Sequence, residues 1–523
     1  MMNDRTRRGF LADVGRGALV ATLGSGTAFD LGLAHARTDE GGSRERLLFG
    51  DREALVELMQ ETPVDRLVPV LVEKIRAGAE LRDLVAAAAL ANARTFGGED
   101  YVGFHTMMAL APAFHMSRDL PEDRRALPVL KVLYRNTARI GEFGGPSKEV
   151  LHPVEPCDSS TGRAGAEALR DAMRAKDMDR AEATFASLVR GGPDEAFNDL
   201  LPTVQDNTEV HRTVLPYRAW DLLGLIGPDH AHTLLRQSVR YCVKSEREWK
   251  HTAEMDRPRE ILPRLMDQYK LPTASPGRRE ADDAWVDQMA RTIFEATPEQ
   301  AAEMAAAALA EGMAPAAIGE AISMAANQLV LRDPGRTASQ AQPNKPVGSV
   351  HGDSIGVHAC DSANAWRNMA LASNPRNAAA CLILGAFQVA LDRDQRGGDF
   401  KNRTPNPRPE DMEAVRSVEP SKILGDLRSA IRGNDQARAC ALVQWLGESE
   451  ADPKAAFDLL LGYAVSEDGA LHAEKFYRTA REEFAVTRPA FRWRQVVALA
   501  RVTASEYGRP APGYAEAVEL LKV

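Results

Sequence analysis

The feature that most constrains this chain is an internal echo. Val347–Ala370 contains Gly356-Val357-His358, and laid over Gly103-Phe104-His105 of the segment Tyr101–Ser117 it also brings Met369 over Met116, at a shift of 253 residues (358 − 105). The echo continues in order. Leu169, Arg170, Ala172, Arg174, Asp177, Arg180, Ala181 and Ala183 fall on Leu427, Arg428, Ala430, Arg432, Asp435, Arg438, Ala439 and Ala441 at a shift of 258 (427 − 169). Farther on, His211 matches His472, Tyr217-Arg218 matches Tyr477-Arg478, Pro228 matches Pro489 and Arg240 matches Arg501. The period is too long for a solenoid and suits two domain-sized copies of one unit.

Each copy reads as helix. Alanine-rich windows such as Leu81–Ala93 and Ala301–Leu331 have helix-forming composition with apolar residues at three- and four-residue spacing. Alternating strand patterns are scarce. The expected architecture is all-α: two tandem pseudo-symmetric helical halves, 55–243 and 285–507, joined by a charged linker at 244–284 that carries four prolines (Pro258, Pro263, Pro272, Pro276). An insertion in the second copy is expected within Asp333–Pro346, and Arg393–Asp411 is expected to form an exposed, mobile loop.

Thr6-Arg7-Arg8-Gly9-Phe10-Leu11 fits a twin-arginine export signal, followed by the weakly apolar stretch Gly17–Leu33 and a small-x-small cleavage site at Ala34-His35-Ala36. Residues 1–36 are therefore expected to be a removable leader and the mature protein periplasmic or secreted. Gly24-Ser25-Gly26 falls inside that leader and is not a phosphate loop. No later apolar run is long enough to span a bilayer. The net charge is −9, without a basic patch interleaved with aromatics, which argues against nucleic acid as a partner. Five scattered cysteines leave room for one bridge, not for a disulfide framework.

With these motifs the chain resembles an uncharacterised group of exported, internally duplicated helical bacterial proteins. The shared features are the twin-arginine leader, a G-x-H-x3-A-like helix (Gly103-Phe104-His105 and Gly356-Val357-His358) and a second histidine with Tyr and Arg downstream. The resemblance covers most of 55–507 and implies an all-helical fold without an assigned activity. A looser likeness, to questin-oxidase-like helical proteins, carries over no catalytic residue.

Duplication makes the histidines informative, since a residue present in both copies was needed twice, for chemistry or for packing. Of eleven histidines, two pairs qualify: His105 with His358, and His211 with His472. Neutral imidazole ligates metals and carries protons near neutral pH, so these four are the candidate ligands of a metal ion, haem or small molecule, with oxidoreductase chemistry as one use. The competing reading is an interaction scaffold with structural histidines and no catalysis. His351, Asp353, Cys360 and Asp361 form a weaker set close to His358; on one continuous helix His351 and His358 would share a face. Tyr217 and Tyr477, each followed by Arg, are weaker candidates for a carboxylate. Arg170, Arg174 and their counterparts read as surface charges, as do His230 and His232. H-E-x-x-H, C-x-x-C-H, G-x-S-x-G and P-loop motifs are absent, so no catalytic residue is nominated.

Overall fold

In the computed structural model the described residues are 45–158, 162–248, 253–271, 276–343, 345–394 and 399–523, so the leader expected at 1–36 lies outside them. The fold is all-α. Among the described residues the only β pairing is three isolated bridges, such as Glu467 with Pro510.

Four helices form the centre: α1 (Tyr101–Asp119), α2 (Val210–Ile226), α3 (Ile355–Ala372) and α4 (His472–Val486). They pack cyclically, α1 against α2 and α4, and α3 against α2 and α4. Residues Gly103–Ser117 of α1 are buried apart from half-buried His115, and α2 is buried on nearly every side. Helices this apolar all round belong in the middle of a protein. The flanking helices sheathe them. Leu81–Phe96 and Ala126–Phe143 lie on α1, Pro315–Arg332 and Pro375–Asp394 on α3, Ala231–Glu248 on α2, and Trp493–Glu506 on α4.

Local chemistry starts three of the central helices. Asp100 accepts from the Gly103 amide at 2.7 Å, Glu209 from Arg212 at 3.0 Å and Ser354 from Val357 at 3.4 Å, each satisfying an amide without an intrahelical partner. The echoed aspartates do the same farther out: Asp177 caps Met178–Leu188 and Asp435 caps Gln436–Glu448.

Several sequence expectations are corrected. The Ser354 cap starts α3 at Ile355, so His351 stands in the preceding turn and not on the face that carries His358. The stretch expected to be a linker is partly helical and packed. Pro258 takes the first turn of Pro258–Gln268, where its missing N–H costs nothing, and Ile261, Leu262, Leu265 and Met266 are buried. Around the loop expected at 393–411, Phe400 is buried and Pro409–Val415 is helical. Arg170 and Arg174 are not idle surface charges, because both clasp the buried carboxylate of Asp206. His232 is half-buried and stacks on Phe185, and the desolvation pushes its imidazole down to about 4. All five cysteines are free thiols.

Candidate functional site

Each central helix carries one echoed histidine near its N-terminus: His105 in the second turn of α1, His211 in the first turn of α2, His358 in the first turn of α3, and His472 at the start of α4. Because the helices pack in a cycle, the rings do too. Neighbouring centroids are 4.9 Å apart for His105 and His211, 5.8 Å for His211 and His358, 5.4 Å for His358 and His472, and 5.0 Å for His472 and His105. Four imidazoles thus close a ring at the centre of the molecule. His105, His211 and His472 are buried and His358 is half-buried.

The hydrogen bonds of three rings decide which nitrogen each presents. His105 Nδ1 donates to the Tyr101 carbonyl at 2.7 Å, and His472 Nδ1 to the Ala470 carbonyl at 3.0 Å. A carbonyl only accepts, so Nδ1 carries the proton and Nε2 the lone pair in the neutral ring. His211 Nδ1 donates at 2.6 Å to Glu209, which also accepts from the Tyr241 hydroxyl at 2.7 Å. Burial raises the Glu209 carboxyl, but His211, Tyr241 and the Arg212 amide outweigh it and hold its pKa at about 2. Burial, reinforced by the Lys475 ammonium, pushes His105 and His472 well below 6.5 and keeps them neutral. The lone-pair atoms of His105 and His211 are buried with no hydrogen-bond partner among the described residues, whereas His472 Nε2 lies 3.3 Å from His358 Nε2.

Aromatic rings wall the cluster. Phe104 stacks on His105 at 5.0 Å and approaches His211 at 5.1 Å, and Tyr101 lies 4.3 Å from His105. Beneath runs a polar layer in which Thr479 accepts from Arg218 Nη2 at 3.4 Å and donates to Asp361 at 2.7 Å. Burial raises the Asp361 carboxyl, opposed by Lys475 and Arg218.

The weaker candidates do not join the ring as ligands. Asp353 is claimed by Lys345 at 2.7 Å and by Arg336, and His351 lies 2.7 Å from Arg509 and 3.5 Å from Glu506. Burial raises the Cys360 thiol well above its ordinary value, which favours the protonated thiol there. Tyr217 donates to Glu482 at 3.3 Å and Tyr477 to Asp119 at 3.4 Å, in a separate tier. Sequence reasoning missed Glu209, Tyr101 and Lys475. Glu209 had a signal, an acidic residue two positions before an echoed histidine.

A tetrahedral ion with bonds of about 2.0–2.1 Å to nitrogen has edges of about 3.3 Å between its donors and ring centroids about 5 Å apart. The His358–His472 nitrogens span such an edge, and the four centroid separations bracket the second figure. As the side chains stand, no three His, Cys, Asp or Glu among the described residues are arranged to hold a metal ion. Holding one ion between the rings would therefore require the side chains to rearrange. Rings this close leave no slot for a porphyrin or other organic molecule between them.

Comparison with family models, with curated proteins and with solved structures finds no match for this chain. Among the described residues no helix is long and apolar enough to cross a membrane.

Proposed function

We propose that this protein binds a transition-metal ion, zinc or one of similar nitrogen preference, through His105, His211, His358 and His472. One observation carries the reading: three of the four converging imidazoles have Nδ1 tied to a carbonyl or carboxylate, which leaves the Nε2 lone pair for a ligand. Metal-ligating histidines are held in this way, with the outer acceptor fixing tautomer and orientation. The charge of a divalent ion would be offset by Glu209 and Asp361, against Lys475. Haem and organic ligands are disfavoured by the ring spacing. The helix cycle also supports descent of the two halves from one duplicated unit, and the twin-arginine pattern at Arg7-Arg8 supports export from the cytoplasm.

Metal analysis and absorption spectra of protein purified without a histidine tag test the reading. The expected outcome is one equivalent of metal per chain, lost in His358→Ala while the circular dichroism spectrum is retained. Metal-free protein that takes up neither zinc nor cobalt would overturn it. The reading then favoured is the helical scaffold, for which the packing of Tyr101 and Phe104 on the histidine rings speaks. Export is tested separately: Arg7→Lys with Arg8→Lys should leave the precursor in the cytoplasm, folded.

A further inference from the structure

A second feature lies ten residues along α1 from His105, about 15 Å away at 1.5 Å per residue. There a cleft of about 400 Å³ opens between the end of α1 and the middle of α4, within the range of small-molecule sites. Three guanidinium groups line it, Arg118, Arg478 and Arg481, with His115 and the Tyr477 hydroxyl beside them. Two carboxylates share the lining, and they are not equivalent. Glu482 is committed to the protein: it pairs with Arg478 at 2.7 Å and accepts from Asn364 at 2.9 Å and from Tyr217 at 3.3 Å. Among the described residues Asp119 is held by contacts of 3.4 Å, from Arg481 and from Tyr477. Such contacts are longer than ordinary hydrogen bonds and easily exchanged for better ones.

Two of the arginines are also held by aromatic rings. Arg481 lies 4.7 Å over the Phe457 ring, and Arg118 lies 4.9 Å over Phe114. Stacking fixes the plane of a guanidinium and leaves its N–H edge free for an oxyanion. His115 contributes a buried Nε2 that makes no hydrogen bond among the described residues and stands 3.7 Å from Asp221.

The opposite crossing, between α2 and α3, supplies an internal control. Its cleft, about 520 Å³, is lined by Tyr217, Trp220, Asp221, Asn368 and Leu371, and among the described residues no arginine lines it. By the echo, Asp221 stands where Arg481 does (shift 260), and Asn368 and Leu371 stand where His115 and Arg118 do (shift 253). The crossing can therefore be built without the basic set, so the fold alone does not account for it.

We propose that the α1–α4 cleft binds a small organic carboxylate. Arg481 and Arg118 would grip the carboxylate with the Tyr477 hydroxyl as an added donor, Asp119 being displaced, and the organic part would rest on Met116 and Ala485. Calorimetric titration of the full chain at low ionic strength with butyrate, succinate and benzoate tests this, with inorganic phosphate as the comparison. At least one carboxylate should bind saturably and more tightly than phosphate. Its affinity should fall at least tenfold in Arg481→Gln and in Arg118→Gln and stay unchanged in Asp194→Asn of the opposite cleft, with circular dichroism confirming that each variant is folded. Failure of all three carboxylates to saturate, tighter binding of phosphate, or wild-type affinity in both folded arginine variants would overturn the proposal. None of these readouts depends on the histidine ring.

Discussion

Glu209 has two tasks at once, capping α2 and fixing the tautomer of His211, and its replacement separates them. Glu209→Gln keeps a side-chain oxygen for the Arg212 amide but removes the charge beside Nδ1. Metal affinity should fall about 10- to 100-fold, read by competition with a chelating dye, while the helix content stays constant. The buried neutral rings set a pH response. In the unfolded chain a histidine takes its proton near 6.5, whereas in the folded chain His105 and His472 take theirs only well below that value. Between those limits the unfolded state binds more protons, so stability is full above about 6.5 and declines as pH falls, by up to about 1.4 kcal/mol per pH unit per histidine. Urea midpoints measured from pH 7.5 to 5 should show that fall, and His472→Gln should flatten it. The pairing of the four histidines was legible because each occurs twice in matching context. The three acceptors behind them were less so: Tyr101 and Ala470 act through backbone carbonyls, which leave no mark on residue type.

At the scale of elements, capping residues could be read directly, while close approaches could not. Asp177 and Asp435 announce the helix starts at Met178 and Gln436, and Asp435→Ala should cost about 1 kcal/mol by denaturant titration. Gly352 gives no such notice. A Cβ there would sit 2.0 Å from the Cβ of His472, so the turn before α3 can lie against the start of α4 only because residue 352 lacks a side chain. Gly352→Ala should therefore destabilise by about 1–3 kcal/mol and weaken metal binding as well, since it pushes on the His472 backbone. A titration showing lost stability with unchanged affinity would uncouple that turn from the site. Misreading the 244–284 stretch has the same origin. Its charge and prolines suggested a linker, but a proline is harmless in the first turn of a helix, and burial of Ile261 and Leu265 offsets the cost of Pro263.

Across the whole molecule, segments far apart in the sequence are locked together. Lys131, on Ala126–Phe143, reaches the carbonyls of Ala464 at 2.8 Å and Glu467 at 2.7 Å and pairs with fully buried Glu474 at 2.6 Å. Lys131→Met would strand that carboxylate, and a loss of about 3–5 kcal/mol is expected in a single unfolding transition. A small loss, or two separate transitions, would mean that the halves are energetically independent. None of this pairing was legible beforehand, because the partners lie more than 300 positions apart and neither is echoed. The cyclic order of the central helices also bears on synthesis. His105 meets His472 across 367 positions (472 − 105), so the ribosome must deliver nearly the entire polypeptide before the fourth imidazole arrives. A nascent chain stalled before α4 holds at most three of the rings and leaves the buried faces of α1 and α3 uncovered. On the proposed reading, an ion held by all four rings would have to wait until α4 has been made, and a chain cut short before it would lack the complete set.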